Sequence, residues 1–254
     1  YIEQFSVFDD NRCQYFYLRS VFYIENPAFD LTALQNEYHE FVAAQGGEGH
    51  IWDANEAVKV LIMVSKTDHC LNTLIAASKL GALNMEIVGI ASNHTDLQAI
   101  AKHHQIPYYH LPVNAETRAR QEQQIIDLKT QLDAEFVVLA RYMQILSAEF
   151  TEQWAMKIIN IHHSFLPAFV GADPYRQAYE KGVKLIGATA HYVTADLDQG
   201  PIIEQDVKRV DHRYTVTELR QLGAEVERQV LARAVLWHVE DRIIVFGNKT
   251  VVFE

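Results

Sequence analysis

Cysteine, proline and positive charge are all scarce in this sequence. Only two cysteines, Cys13 and Cys70, stand among 254 residues. Their spacing suits neither zinc nor a redox pair, so they read as buried thiols rather than a disulfide framework. Lysine and arginine total 22 against 33 acidic residues, a formal charge of −11. That balance argues against nucleic acid and anionic membrane as general partners. No apolar run approaches the roughly 20 residues of a spanning helix, and no stretch reads as a charged-then-apolar secretory leader. There are no repeats and no low-complexity tract. These absences lead us to expect a soluble, cytoplasmic protein. What is present is apolar substance, 49% of the chain, enough for one large or two modest domains with separate cores.

The first 57 residues read differently from the rest. Residues 2–8 suit a strand, Asp9, Asp10, Asn11 and Arg12 a turn, and residues 13–24 a long aromatic strand. Pro27 and Asp30 open a helix over 31–44, with Leu31, Leu34, Tyr38 and Phe41 at helical spacing. Gly46 and Gly47 stop it, and His50, Ile51 and Trp52 suit a short closing strand. Strand, strand, helix, strand is the latter part of a split βαββαβ unit. The chain starts at Tyr1 rather than Met, so a strand and helix preceding Tyr1 are expected to complete that unit. From Lys59 the rhythm becomes strand–helix alternation, with apolar runs at 60–64, 86–91, 136–139 and 158–161. Continuous apolar strands between helices indicate a mainly parallel sheet covered on both faces, whose ligands gather beyond the carboxyl ends of the strands. Thr215 and Glu218 form a capping box for a helix to about Val239. Residues 243–246 and 250–253, around Gly247 and Asn248, suit a terminal hairpin.

Chemistry concentrates at the end of the run 157–161. Residues two apart on a strand face the same way, so Asn160 and His162 offer a carboxamide and an imidazole to one spot. Asp198 follows on a turn stiffened by Gly200 and Pro201. An amide donor, an imidazole and an acid together suit attack on a carbonyl. The pair His162 and His163 suggests a metal, but adjacent strand residues diverge and no further ligand spacing supports one.

The segments Asn160-Ile161-His162-His163-Ser164-Phe165-Leu166-Pro167, Gly187-Ala188-Thr189-Ala190-His191-Tyr192-Val193-Thr194 and Leu197-Asp198-Gln199-Gly200-Pro201-Ile202-Ile203 resemble the formyltransferase fold. That superfamily includes glycinamide ribonucleotide transformylase, methionyl-tRNA formyltransferase and formyltetrahydrofolate deformylase. The chain looks most like the deformylases, which hydrolyse 10-formyltetrahydrofolate and carry an N-terminal ACT-type module. The resemblance implies a Rossmann-like catalytic domain over 58–254 with a mixed, mainly parallel sheet. An incomplete ferredoxin-like (ACT) regulatory domain over 1–57 would precede it.

Three departures separate this chain from the other branches. Ser65-Lys66-Thr67-Asp68-His69 stands where the transformylase has a Gly- and Ser-rich phosphate loop, and Asp68 would repel a phosphate. His163 replaces a usual proline. The chain is acidic and reaches a hairpin at its end, so the basic RNA-binding surface and additional C-terminal domain of the tRNA enzyme are not expected. Water is therefore the expected acceptor, with formyl transfer to an amine as the alternative.

The resemblance also implies roles. Asn160 and His162 would stabilise the oxyanion, with His162 also helping a proton reach the leaving N10, and Asp198 would position water and handle protons. Arg141, Met143, Gln144, Ile145 and Leu146, with Val193 and Asp196 of the aspartate-containing loop, would hold the folate. In that set Arg141 is expected against its anionic glutamate tail. His163 and His191 would support the catalytic groups. No metal and no cofactor are expected, since folate is the substrate. ACT modules commonly bind amino acids at subunit interfaces, so a homo-oligomer answering glycine or methionine is expected.

Overall fold

The computed structural model describes residues 1–11, 14–26, 28–167 and 173–253. Arg12, Cys13 and Pro27, which the sequence places in a turn, at a strand start and before a helix, lie outside them. The chain forms two compact units, Tyr1–Ala57 and Val58–Val252. Among the described residues no helix is long and apolar enough to cross a membrane.

In the first unit, β1 (Ile2–Asp10) and β2 (Tyr15–Phe22) pair antiparallel, with Phe8 opposite Tyr17. The helix α1 (Leu31–Ala44) starts where the Asp30 side chain accepts the Ala33 N–H at 3.1 Å. The expected closing strand at 50–52 is not formed. A strand needs a neighbouring backbone edge, and here the sheet has two strands, while the Ile51 carbonyl accepts from Gln35 Nε2 at 2.7 Å.

The second unit begins with β3 (Val58–Val64), α2 (His69–Lys79), β4 (Met85–Ser92), α3 (Gln98–His103) and β5 (Tyr108–His110). It continues through α4 (Arg118–Leu132), β6 (Phe136–Leu139), α5 (Ala148–Glu152), β7 (Ile158–His162) and α6 (Pro174–Glu180). Then come β8 (Leu185–Tyr192), β9 (Ile202–Arg209), the long α7 (Val216–Val239) and a hairpin of β10 (Ile243–Phe246) and β11 (Lys249–Val252). Seven strands make one sheet in the order β5-β4-β3-β6-β7-β8-β9. The first five run parallel, whereas β8 is antiparallel to both β7 and β9.

The strand period divides the core in two. Val60, Ile62 and Val64 of β3 face one side with Leu71, Leu74, Val226, Val230 and Ala234. Leu61 and Met63 face the other, with Ile125, Leu128, Val137 and Trp154. Each such side chain, fully buried, contributes roughly 1.5–3 kcal/mol. Ile159 and Ile161 of β7 belong to the first cluster and Ile158 to the second. Asn160 and His162 therefore stand on the second face. The capping box of α7 is complete: Thr215 Oγ1 accepts the Glu218 N–H, and Glu218 Oε2 accepts the Thr215 N–H at 2.7 Å.

His238, near the end of α7, lies against the Phe136 ring and pairs through Nδ1 with the Tyr192 hydroxyl at 2.9 Å. Burial pushes its imidazole down to about 4. The unfolded chain takes up a proton near the ordinary histidine value that the folded chain refuses until about that pH. Stability is therefore lost as pH falls through this window, by about 2–3 kcal/mol from this residue. Urea unfolding from pH 7 to pH 4 should show His238→Asn losing less stability than the parent by that amount. Parallel curves would mean that the imidazole titrates freely.

Candidate active site

β3 and β6 are neighbours in the sheet, and the chain leaves them toward opposite edges, making a switch point where α/β sheets open a crevice beyond their carboxyl ends. The strand β7 follows β6 and delivers Asn160 and His162 to that end. The antiparallel β8 adds a cross-strand partner, with His191 directly opposite Asn160. Asn160 Nδ2 lies 3.2 Å from His191 Nε2. His191 Nδ1 lies 2.8 Å from the Tyr192 carbonyl oxygen, which can only accept, so that nitrogen carries the proton. Nε2 stands between Asn160 Nδ2 and the Asp198 carboxylate, and the amide keeps a second hydrogen for a substrate oxygen.

Asp198 closes the site from the β8–β9 connection. Its Oδ2 lies 3.3 Å from His162 Nδ1, and its Oδ1 lies 3.6 Å from His191 Nε2. Burial would push this carboxyl up, yet the His162 and His191 imidazoles beside it hold it well below the ordinary carboxylate range. It is an anion at any physiological pH. Its backbone is left-handed, φ +56°, a region aspartate visits more readily than most residues. The turn depends on Gly200, where an added Cβ would run into the Tyr192 carbonyl oxygen. His162 is 7% exposed, and among the described residues its Nε2 is buried without a hydrogen-bond partner. An unpartnered buried nitrogen is costly, and a bound substrate or water would relieve it.

The segment after β6 forms the adjoining wall. Met143 and Ile145 are 56% and 55% exposed, Gln144 is half-buried, and Leu146 packs on the second core cluster. Exposed apolar side chains beside polar groups suit a flat heterocycle. The segment is fixed from both flanks. The Ser65 hydroxyl accepts the Met143 N–H at 3.0 Å and donates to Asn93 Oδ1 at 2.7 Å. Glu122 of α4 accepts from the Ser147 N–H and hydroxyl at 2.8 and 2.6 Å. Val193 donates its N–H to the Ile158 carbonyl at 2.9 Å, and Asp196 is exposed at the surface of the aspartate-containing loop.

Arg141 has a partner different from the one expected. Its side chain is 14% exposed, and its Nε lies 3.4 Å from Glu227 of α7. Glu227 is 2% exposed and also takes His69 Nε2 at 2.8 Å and the Tyr175 hydroxyl at 2.5 Å. Among the described residues the Arg141 Nε and Nη1 are buried without a hydrogen-bond partner. His163 sits one residue past the end of β7, its ring 5.2 Å from that of His162 and 6.3 Å from that of Tyr175. Burial and the Arg141 charge push its imidazole down to about 4, so it is neutral at physiological pH.

Donor atoms of His69, Cys70 and Glu227 lie within 4.8 Å of one another. Arg141 and Tyr175 already engage Glu227, and burial pushes the Cys70 thiol far up, away from the thiolate a metal needs. This is a hydrogen-bonded network rather than a cation site. Sequence reading missed it, although Glu227 carries a signal: it falls on the stripe Leu219, Gly223, Val226, Val230 that faces the core. A cavity of about 300 Å³ lies behind His163, among Phe165, Ile186, Gly187 and Val207. Its lining includes none of Asn160, His162 and Asp198.

A formyl transferase family model matches residues 58–235. A formyltetrahydrofolate deformylase of Bacillus subtilis is 53% identical over 200 residues, covering 79% of this chain and 67% of its own. The crystal structure of a formyltetrahydrofolate deformylase from Burkholderia mallei superposes with TM-score 0.94 at 48% identity, covering 100% of this chain and 90% of that one. A glycinamide ribonucleotide transformylase 1 from Symbiobacterium toebii gives TM-score 0.75 at 26% identity, covering 82% of this chain and 99% of its own. The chain therefore belongs to the formyl transferase family, on its formyltetrahydrofolate deformylase branch.

Proposed function

We propose that this chain hydrolyses 10-formyltetrahydrofolate to formate and tetrahydrofolate, with its own side chains supplying the chemistry. The observation that carries the reading is the meeting of Asp198 and His162, from segments far apart in sequence, at 3.3 Å beside Asn160. Asp198 holds water against the formyl carbon and takes its proton. As the carbonyl oxygen gains charge, the second Asn160 N–H and His162 Nε2 stabilise it, the kind of preorganised donation that lowers such barriers most. Collapse breaks the bond to N10, which receives a proton relayed through His162. The folate lies along Met143, Gln144, Ile145 and Leu146, with Val193 and Asp196 bordering it. The buried His191 orients Asn160.

Residues 1–57 are read as an ACT-like regulatory unit, supported by the order strand, strand, helix and by their separate packing. Hydrolysing a one-carbon donor wastes it unless it is controlled, which gives such a unit a purpose in a homo-oligomer. One assay tests both readings: purified protein with 10-formyltetrahydrofolate, alone and with glycine or methionine. Formate and tetrahydrofolate should appear in equal amounts without any added amine, at a rate that one of the amino acids changes. A strict requirement for an amine would make the chain a transferase, and indifference to both amino acids would remove the regulatory reading.

A further inference from the structure

His69, Arg141 and His163 follow β3, β6 and β7, three strands adjacent in the sheet, and so stand side by side along its carboxyl edge. Glu227 gathers them. It binds His69 at 2.8 Å and Arg141 at 3.4 Å, and it holds the Tyr175 hydroxyl at 2.5 Å while the Tyr175 ring lies against His163. Burial would push the Glu227 carboxyl up, yet the His69 bond and the Arg141 charge hold it below the ordinary range. One turn before it, Gly223 has no Cβ, and any Cβ there would run into the Tyr175 ring and hydroxyl. A helix interior gives up about 1 kcal/mol to carry glycine, and here that glycine lets Tyr175 reach Glu227.

On the proposed reading, the pterin occupies the wall formed after β6, while β8 and the Asp198 turn close another. On the same reading, the described residues that flank an approach to the formyl carbon from beside His162 include those at the ends of β3, β6 and β7. We propose that Glu227, by clamping His69, Arg141 and Tyr175 against His163, closes this approach to any nucleophile larger than water. Glu227 and His69 are thereby specificity-determining residues, and the excluded ligand class is a primary amine. With water, a C–O bond forms and the C–N10 bond breaks; one water proton reaches N10, the other is lost, and formate departs. With an amine, a C–N bond forms as the same bond breaks. N10 takes the proton that the amine gives up, and the product is a formamide. No oxidant or reductant enters either route.

The inference rests on the hydrolytic reading, and one experiment separates the two. The full chain, His69→Ala and Glu227→Gln are each given 10-formyltetrahydrofolate with increasing hydroxylamine, and formate and formohydroxamate are both measured against an enzyme-free control. The parent should give formate almost alone, and both variants should raise the hydroxamate-to-formate ratio about 10-fold or more, as pocket openings of this size do. Both products come from the same folded molecules, so the ratio is unaffected by partial unfolding. Active variants that keep the parental ratio would overturn the inference while leaving hydrolysis intact. A parent that makes no formate without amine would overturn hydrolysis itself.

Discussion

Asp198→Asn should fold as the parent does and lose turnover by about 10²–10⁴-fold, the usual contribution of a positioned general base. Folding is protected because asparagine tolerates the left-handed backbone of this position at least as well as aspartate does, and because the two side chains have the same shape. The chemistry changes completely. An amide group cannot take a proton from water, and its NH₂ or its weaker carbonyl replaces an anion set between His162 and His191. Formate release measured beside a thermal melt checks the pair of expectations. A well-folded variant within a few fold of parental turnover would remove Asp198 from the mechanism.

His162→Ala should lose turnover on the same scale, roughly 10²–10⁴-fold, while still binding tetrahydrofolate. The separation of effects follows from geometry. The segment proposed to receive the folate is held by Ser65 and Glu122 through bonds that do not involve His162. What disappears is the buried Nε2, which has no hydrogen-bond partner among the described residues. Binding measured by fluorescence and turnover measured by formate release should therefore part company. Equal losses in both would recast His162 as a residue that shapes the folate site rather than one that acts on the formyl group.

Legibility in the sequence followed how local each signal is. The helix α7 could be read to its ends because the Thr215–Glu218 box and the apolar stripe lie within a few residues of what they determine. The four apolar runs after Lys59 all became strands for the same reason. The strand β5, three residues long, has too little periodicity to stand out. The direction of β8 depends on how α6 returns the chain, which no local pattern records. In the site, Asn160 and His162 were legible from strand alternation alone. The contacts of His191 and Arg141 were not, since each partner lies across the sheet or on α7. His163 was expected to face away by strand alternation; it has left the strand and lies near enough to His162 for their rings to approach.

The pairing of Asn160 with His191 makes the proposed chemistry hostage to alignment between two strands. Slippage of β8 by a single residue would keep every backbone ladder bond while turning His191 to the opposite face. Such a protein could look intact by circular dichroism and still be inert. Insertions in the β8–β9 connection, by contrast, leave that alignment untouched and displace Asp198. Lineages altering chain length here would thus meet a cost on either side of Tyr192, lost pairing before it and a misplaced carboxylate after it.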